Sequence, residues 1–168
     1  NNVNPLAFMI KAVSETLKEF SIFNSSLIDN HQIVMKEYIN IGIAVDTEEG
    51  LVVPVIQDAD KLSLEEISAK VKELAEKARN KKLLNTNLEN RTITISSLGK
   101  LGGIGFTPII NPPDVAIISM SKTYKRLVLA EELDIMPIAM SYDHRVINGA
   151  DAGRFMVFLK NILDNFND

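Results

Sequence analysis

A mixed α/β fold, with a mixed β-sheet layered against helices, is predicted for this chain from three observations. Helix-period and strand-period stretches follow one another in the order helix, strands, helix, strands, helix, which is the pattern of a sheet covered by helices. The 168 residues suit one compact domain with a real core. No internal repeat, linker or low-complexity tract divides the chain, so no second domain is expected.

The first helix follows Asn4 and Pro5, a cap residue and the residue best tolerated in a first helical turn. It puts Leu6, Ile10, Val13, Leu17 and Phe20 at helical spacing. Ile39 to Val45 and Leu51 to Ile56 are β-rich runs, and the polar, Gly-ended connection Asp46 to Gly50 suits a hairpin of two largely buried strands. Ser63 with Glu66 forms a capping-box signature, after which Leu64, Ile67, Val71, Leu74 and Ala78 keep helical spacing up to Arg79. Thr92 to Ser97 reads as a strand ending at a Gly-rich segment that contains Gly99, Gly102, Gly103 and Gly105. Pro108, Pro112 and Pro113 then punctuate a loop before a strand from Val115 to Ser119. Leu127 to Leu129 and Ile135 to Ser141 are expected strands around an acidic turn at Glu131, Glu132 and Asp134. A last helix from about Asp151 to Phe166 carries Phe155, Leu159, Ile162 and Phe166 on one face.

Composition narrows the function. Eighteen Lys and Arg against 22 Asp and Glu give a net charge of -4, which offers no electrostatic footprint for nucleic acid or an anionic membrane. No apolar run approaches the roughly 20 residues needed to span a bilayer. Cys is absent, so disulfides and thiolate metal sites are not expected, and a nucleophilic thiol has to come from a substrate.

Two His occur. His31 follows Asp29 and Asn30 in a stretch that reads as a polar surface loop, where a solvated His is expected. His144 follows an apolar strand and is flanked by Asp143, Arg145 and, four residues on, Asn148-Gly149. Imidazole titrates close to neutral pH and can take a proton from a weakly acidic thiol, which makes His144 a candidate general base. Spacing alone leaves a second reading open, a structural His fastened by its acidic neighbour.

The run Asp143-His144-Arg145-Val146-Ile147-Asn148-Gly149-Ala150 resembles the active-site signature of the dihydrolipoyl acyltransferases of 2-oxoacid dehydrogenase complexes. Three further blocks look like that family in its order: Ile39 to Val45 with Gly50 to Val55, Thr94-Ile95-Ser96-Ser97-Leu98-Gly99, and Phe106 to Pro113. The resemblance covers nearly the whole chain and implies a chloramphenicol acetyltransferase-like fold. It implies that His144 deprotonates the thiol of CoA, or in reverse of dihydrolipoamide, and that Ser96 donates a hydrogen bond to the tetrahedral oxyanion. Ser96 read alone would be a strand-end Ser satisfying backbone. Phe106 matches a position lining the lipoamide side of the substrate channel, where an ordinary core Phe is equally compatible. The Gly-rich segment matches neither GxGxxG nor a phosphate-binding loop, and the resemblance makes it a turn beside the channel.

Asn148 stands where the family's usual pattern has Asp, so any orientation of the site by charge has to be weaker or arranged differently. That substitution keeps open an alternative, a core-forming scaffold with weak or lost catalysis, although His144 and Ser96 are both retained. The acetyl-transferring subgroup of pyruvate dehydrogenase complexes fits best, ahead of succinyl- or branched-chain relatives. A Ser-His-Asp hydrolase is disfavoured because no GxSxG elbow is present.

The resemblance further implies CoA as a substrate and a lipoyl group carried on a separate domain. It implies a homotrimer whose His and Ser come from different subunits, built into a larger cubic core, and 2-oxoacid dehydrogenase and dihydrolipoamide dehydrogenase as partners. A bacterial cytoplasm or a mitochondrial matrix is the expected location. The family's catalytic domain starts several tens of residues before the first matched helix, so residues 1–168 are expected to be a partial catalytic domain without its N-terminal portion and part of the CoA pocket. No residue is assigned to that pocket.

Overall fold

The computed structural model describes residues 4–99 and 103–166. Gly102 of the predicted Gly-rich turn lies outside them, whereas Gly99 and Gly103 adopt positive φ values of 51° and 82°, the left-handed region that glycine enters freely.

Among the described residues there are three α-helices: α1 (Pro5–Glu19), α2 (Leu64–Arg79) and α3 (Gly149–Asp164). Each starts at a side-chain cap. Asn4 Oδ1 accepts from the Leu6 N–H at 3.0 Å. Ser63 Oγ accepts from the Glu66 N–H while the Glu66 carboxylate accepts from the Ser63 N–H, the predicted capping box. Asn148 caps α3.

A five-stranded sheet holds β3 (Ile41–Ile43), β6 (Val55–Ile56), β7 (Ile93–Ser97), β8 (Ala116–Met120) and β11 (Ile138–Tyr142), in the spatial order β11-β8-β7-β3-β6. The inner pairs β3–β7 and β7–β8 are parallel, and the outer pairs are antiparallel. Residues opposite one another share a face and successive residues alternate, so the register separates two surfaces. One carries Ile41, Ile43, Ile93, Ile95, Ala116, Ile118 and Met120, which belong to the core with Val13 and Leu17 of α1, Ile67 of α2 and Phe155 of α3. The other carries Gly42, Thr94, Ser96, Ile117, Ser119, Ala139 and Ser141, small or hydroxylated residues for the most part.

Among the described residues three two-stranded ribbons lie outside the main sheet, and each departs in some respect from expectation. Ile39 to Val45 and Leu51 to Ile56 pair as the expected hairpin, in one register from Ile41 opposite Ile56 to Thr47 opposite Gly50, but it is not buried throughout. Its base, β3 and β6, lies in the main sheet, whereas β4 (Val45–Thr47) and β5 (Gly50–Val52) form an outer ribbon whose Leu51 is 67% exposed. Pro54 has no N–H to continue the ladder, and Ala44 turns its own N–H to the Ile95 carbonyl at 3.0 Å.

Glu131, Glu132 and Asp134 are not a turn. They lie on β10 (Glu131–Ile135), paired with β9 (Tyr124–Val128) across a turn made by Leu129 and Ala130 at positive φ. Pro137 separates β10 from β11. The stretch around His31 is likewise no simple loop: it is the tip of a hairpin of β1 (Ser25–Ile28) with β2 (Gln32–Met35). His31 itself is exposed, as expected.

Candidate active site

His144 comes directly after β11, in a turn that links the sheet to α3. The Asp143 N–H donates to the Val115 carbonyl at 2.8 Å, and the N–H groups of Val146 and Ile147 fold back onto the Asp143 carbonyl at 3.0 and 2.9 Å. Ile147 is buried and anchors the turn on the core side, while His144 is exposed.

The Asp143 carboxylate does not hold the imidazole. It takes Arg145 instead, accepting from its backbone N–H at 3.0 Å, from Nε at 2.9 Å and from Nη2 at 2.6 Å. The Arg145 guanidinium keeps the Asp143 carboxyl below its ordinary range. A structural His fastened by its acidic neighbour is therefore not what the geometry provides. Among the described residues neither ring nitrogen of His144 has a hydrogen-bond partner, and the nearest aromatic ring is Tyr142, with centroids 5.7 Å apart.

Asn148 is brought close in sequence but is engaged with the helix. Its Oδ1 accepts from the Asp151 N–H at 2.9 Å, and its Nδ2 donates to Asp151 Oδ2 at 2.6 Å. Asp151 also pairs with Arg154 at 2.7 Å. The neutral amide thus does what an Asp could not do: it caps α3 and also donates to the carboxylate of the first helical turn.

Ser96 sits on the hydroxyl-bearing face of the sheet, half-buried, and among the described residues its hydroxyl has no hydrogen-bond partner. It is not tied to backbone in the manner of an ordinary strand-end Ser, unlike Ser97, whose Oγ accepts from the Gly99 N–H at 3.2 Å. Phe106 is half-buried in a segment laid across this same face. Ser119 Oγ donates to the Phe106 carbonyl at 3.0 Å and Ser141 Oγ to the Pro108 carbonyl at 2.5 Å. Nearby, Arg91 Nε lies 2.9 Å from Asp114, which also accepts from Thr94 Oγ1 at 2.6 Å. Burial pushes the Asp114 carboxyl up from its ordinary value, against the hydrogen bond from Thr94 and the charge of Arg91.

Ser96 and His144 are not brought together within the chain. Ser96 pairs with Ser119, and Ser119 with Ala139, whereas Tyr142 pairs with Ala116. Because β7 and β8 are parallel and β11 is antiparallel to them, the chain leaves β7 and β11 at opposite ends of the strands. Two strand spacings and three residues of rise put Ser96 roughly 14 Å from the level of Tyr142, and His144 lies further on.

No group of three or more His, Cys, Asp and Glu suited to a metal ion occurs among the described residues. Sequence reasoning missed the contact made on Arg145 by Asn30, at the tip of the β1–β2 hairpin. The consecutive Asp29 and Asn30, both tolerant of positive φ and set between β-rich runs, were the signal for that turn.

Comparison with known proteins places these features in context. The profile of the 2-oxoacid dehydrogenases acyltransferase family (catalytic domain) matches residues 1–168. The acetyltransferase component of the pyruvate dehydrogenase complex of Cupriavidus necator is 49% identical over 98% of this chain, which spans 30% of that relative's length. The cubic core of a pyruvate dehydrogenase multienzyme complex superimposes with a TM-score of 0.94 at 44% identity, over 98% of this chain and 70% of the other. The dihydrolipoamide acetyltransferase of Azotobacter vinelandii superimposes equally well, with the same identity and coverage. It was solved to define the role of a serine, a histidine and, four positions after the histidine, an asparagine in its catalytic mechanism. An asparagine at this spacing is therefore not peculiar to the present chain. A chloramphenicol acetyltransferase shares the fold alone, with a TM-score of 0.65 at 15% identity over 94% of this chain and 77% of its own.

Proposed function

The chain belongs to the 2-oxoacid dehydrogenase acyltransferase family, and from that premise we propose that it moves an acetyl group between dihydrolipoamide and coenzyme A. Residues 1–168 form part of one catalytic domain, with His144 as general base, Ser96 as oxyanion donor and Asn148 as the residue that holds the base's turn to α3. His144 takes the proton of one thiol, and the thiolate attacks the carbonyl carbon of the other partner's thioester. The carbonyl electron pair moves onto oxygen, and Ser96 Oγ–H donates to it. Collapse re-forms the carbonyl and breaks the original C–S bond. The departing thiolate recovers the proton from the imidazolium, so protons and electrons balance without a further reactant.

The observation that carries this reading is the pair His144 and Asn148 at the β11–α3 junction, at the spacing of the histidine and asparagine studied in the Azotobacter vinelandii enzyme. The separation of Ser96 from His144 within one chain supports a site shared between copies, each supplying one residue. We read the assembly as a homotrimer built into a larger core. Phe106 lines the lipoamide side of the channel, and the lipoyl group arrives on a domain outside this chain.

Acetyl transfer from acetyl-CoA to dihydrolipoamide tests the reading. His144→Ala is expected to lose about 10²- to 10⁴-fold in kcat, and Ser96→Ala about 10²- to 10³-fold. Activity unchanged by His144→Ala would exclude the base, and an inactive wild-type assembly would favour a scaffold.

A further inference from the structure

His144 has no hydrogen bond of its own among the described residues, so the direction of its imidazole is inherited from the backbone of the 143–146 turn. Arg145 is the residue of that turn whose side chain reaches the β1–β2 hairpin. Its backbone N–H, Nε and Nη2 bind Asp143, inside the turn. Its remaining guanidinium nitrogen, Nη1, reaches out of the turn and donates to Asn30 Oδ1 at 2.5 Å.

Asn30 projects from a braced element. The root of the β1–β2 hairpin is closed by Asn24 Nδ2, which donates to the carbonyls of Lys36 and Tyr38 at 2.9 and 2.8 Å. Its middle is joined to the main sheet by a bridge between Ser26 and Asp114. Asp114 directly precedes Val115, whose carbonyl receives the Asp143 N–H. The hairpin is therefore fastened at its middle beside one attachment of the His144 turn and at its tip to Arg145. Asp29 and Asn30 hold the tip at φ values of 50° and 61°.

We propose that Asn30 is a positioning residue for the base: through Arg145, the hairpin tip fixes the turn from which His144 projects. The inference rests on His144 as the base. A small displacement of a reacting group costs rate steeply, because a near-attack geometry requires the reacting atoms within about 3 to 3.5 Å. Loss of the tether should therefore lower turnover more than substrate affinity.

The test uses the assembled enzyme in the acetyl-transfer assay. Asn30→Gly suits the left-handed backbone and removes the side chain, whereas Asn30→Asp keeps an acceptor oxygen for Arg145. Asn30→Gly is expected to lower kcat about tenfold while both KM values stay within about twofold, and Asn30→Asp to retain wild-type kcat. In an Arg145→Ala background Asn30→Gly should cause no further loss. Wild-type kcat in Asn30→Gly overturns the proposal. So does a loss in Asn30→Asp equal to that in Asn30→Gly, or an undiminished loss in the Arg145→Ala background. A fully active His144→Ala overturns the base assignment and this inference with it, whereas an inactive His144→Ala beside a fully active Asn30→Gly overturns only the inference.

Discussion

Asp143 shows how an acid next to the imidazole proposed as the base can serve its other neighbour and not the ring. Its carboxylate closes on Arg145, the hydrogen bonds from Arg145 lower its pKa, and the sign of the consequence follows. A group whose folded pKa is depressed contributes stability that is present above its unfolded value, about 3.9 for Asp, and is lost as pH falls through the lower folded value. Asp143→Asn should therefore lower kcat several-fold by a factor that stays constant from about pH 8 to about pH 5. Parallel profiles of kcat against pH check this, and a gap that closes within that window would contradict the pairing. The sequence showed His144 and its charged neighbours but not which of them pair. Asp143 is adjacent to both candidates, and the choice of Arg145 depends on the backbone curl that presents the Arg145 N–H to the same carboxylate oxygen.

The helices were legible from local signals because capping and periodicity act within a few residues. Of the ribbons, only β4–β5 was, through the polar connection from Asp46 to Gly50. Leu129 and Ala130 turn the β9–β10 hairpin without Gly or Asn, so the acidic residues on β10 drew attention as the turn instead. Pro54 and Pro137 cut runs that hydropathy alone would continue. What the helices do together is also nonlocal. Phe155 of α3 is fully buried against Phe23, with ring centroids 4.4 Å apart, and against Phe20 at 5.7 Å. Those rings tie α3, and with it the Asn148 cap, to the end of α1. Phe155→Ala should destabilise the fold by about 3 to 5 kcal/mol through lost burial and the cavity left behind, a large part of the roughly 5 to 15 kcal/mol typical of a domain. Urea unfolding measures it, and a cost under about 1 kcal/mol would mean that the aromatic cluster does not anchor α3.

Across the molecule, the parallel and antiparallel pairings put the exits of β7 and β11 at opposite ends of the strands, which is the observation behind the proposal that two copies share the site. Mixing inactive Ser96→Ala and His144→Ala assemblies under conditions that let subunits exchange should restore part of the wild-type acetyl transfer, because some interfaces then hold an intact Ser96 facing an intact His144. Rates that stay at the background of both parents after exchange, confirmed by mass, would place the whole site within one chain. The family and the helices were determined by the sequence alone, and His144, Ser96 and Asn148 were singled out there as the candidate site, since these depend on residue type and short spacing. Only the tertiary structure decided that Asp143 serves Arg145, that Asn148 caps α3, that the polar stretch before His31 is a hairpin reaching the His144 turn, and that Ser96 stands far from His144. The hairpin contact and the separation depend on strand order and register, set by contacts between residues distant in the chain, whereas the Asp143 and Asn148 bonds span two and three residues and depend on the backbone turn at the β11–α3 junction.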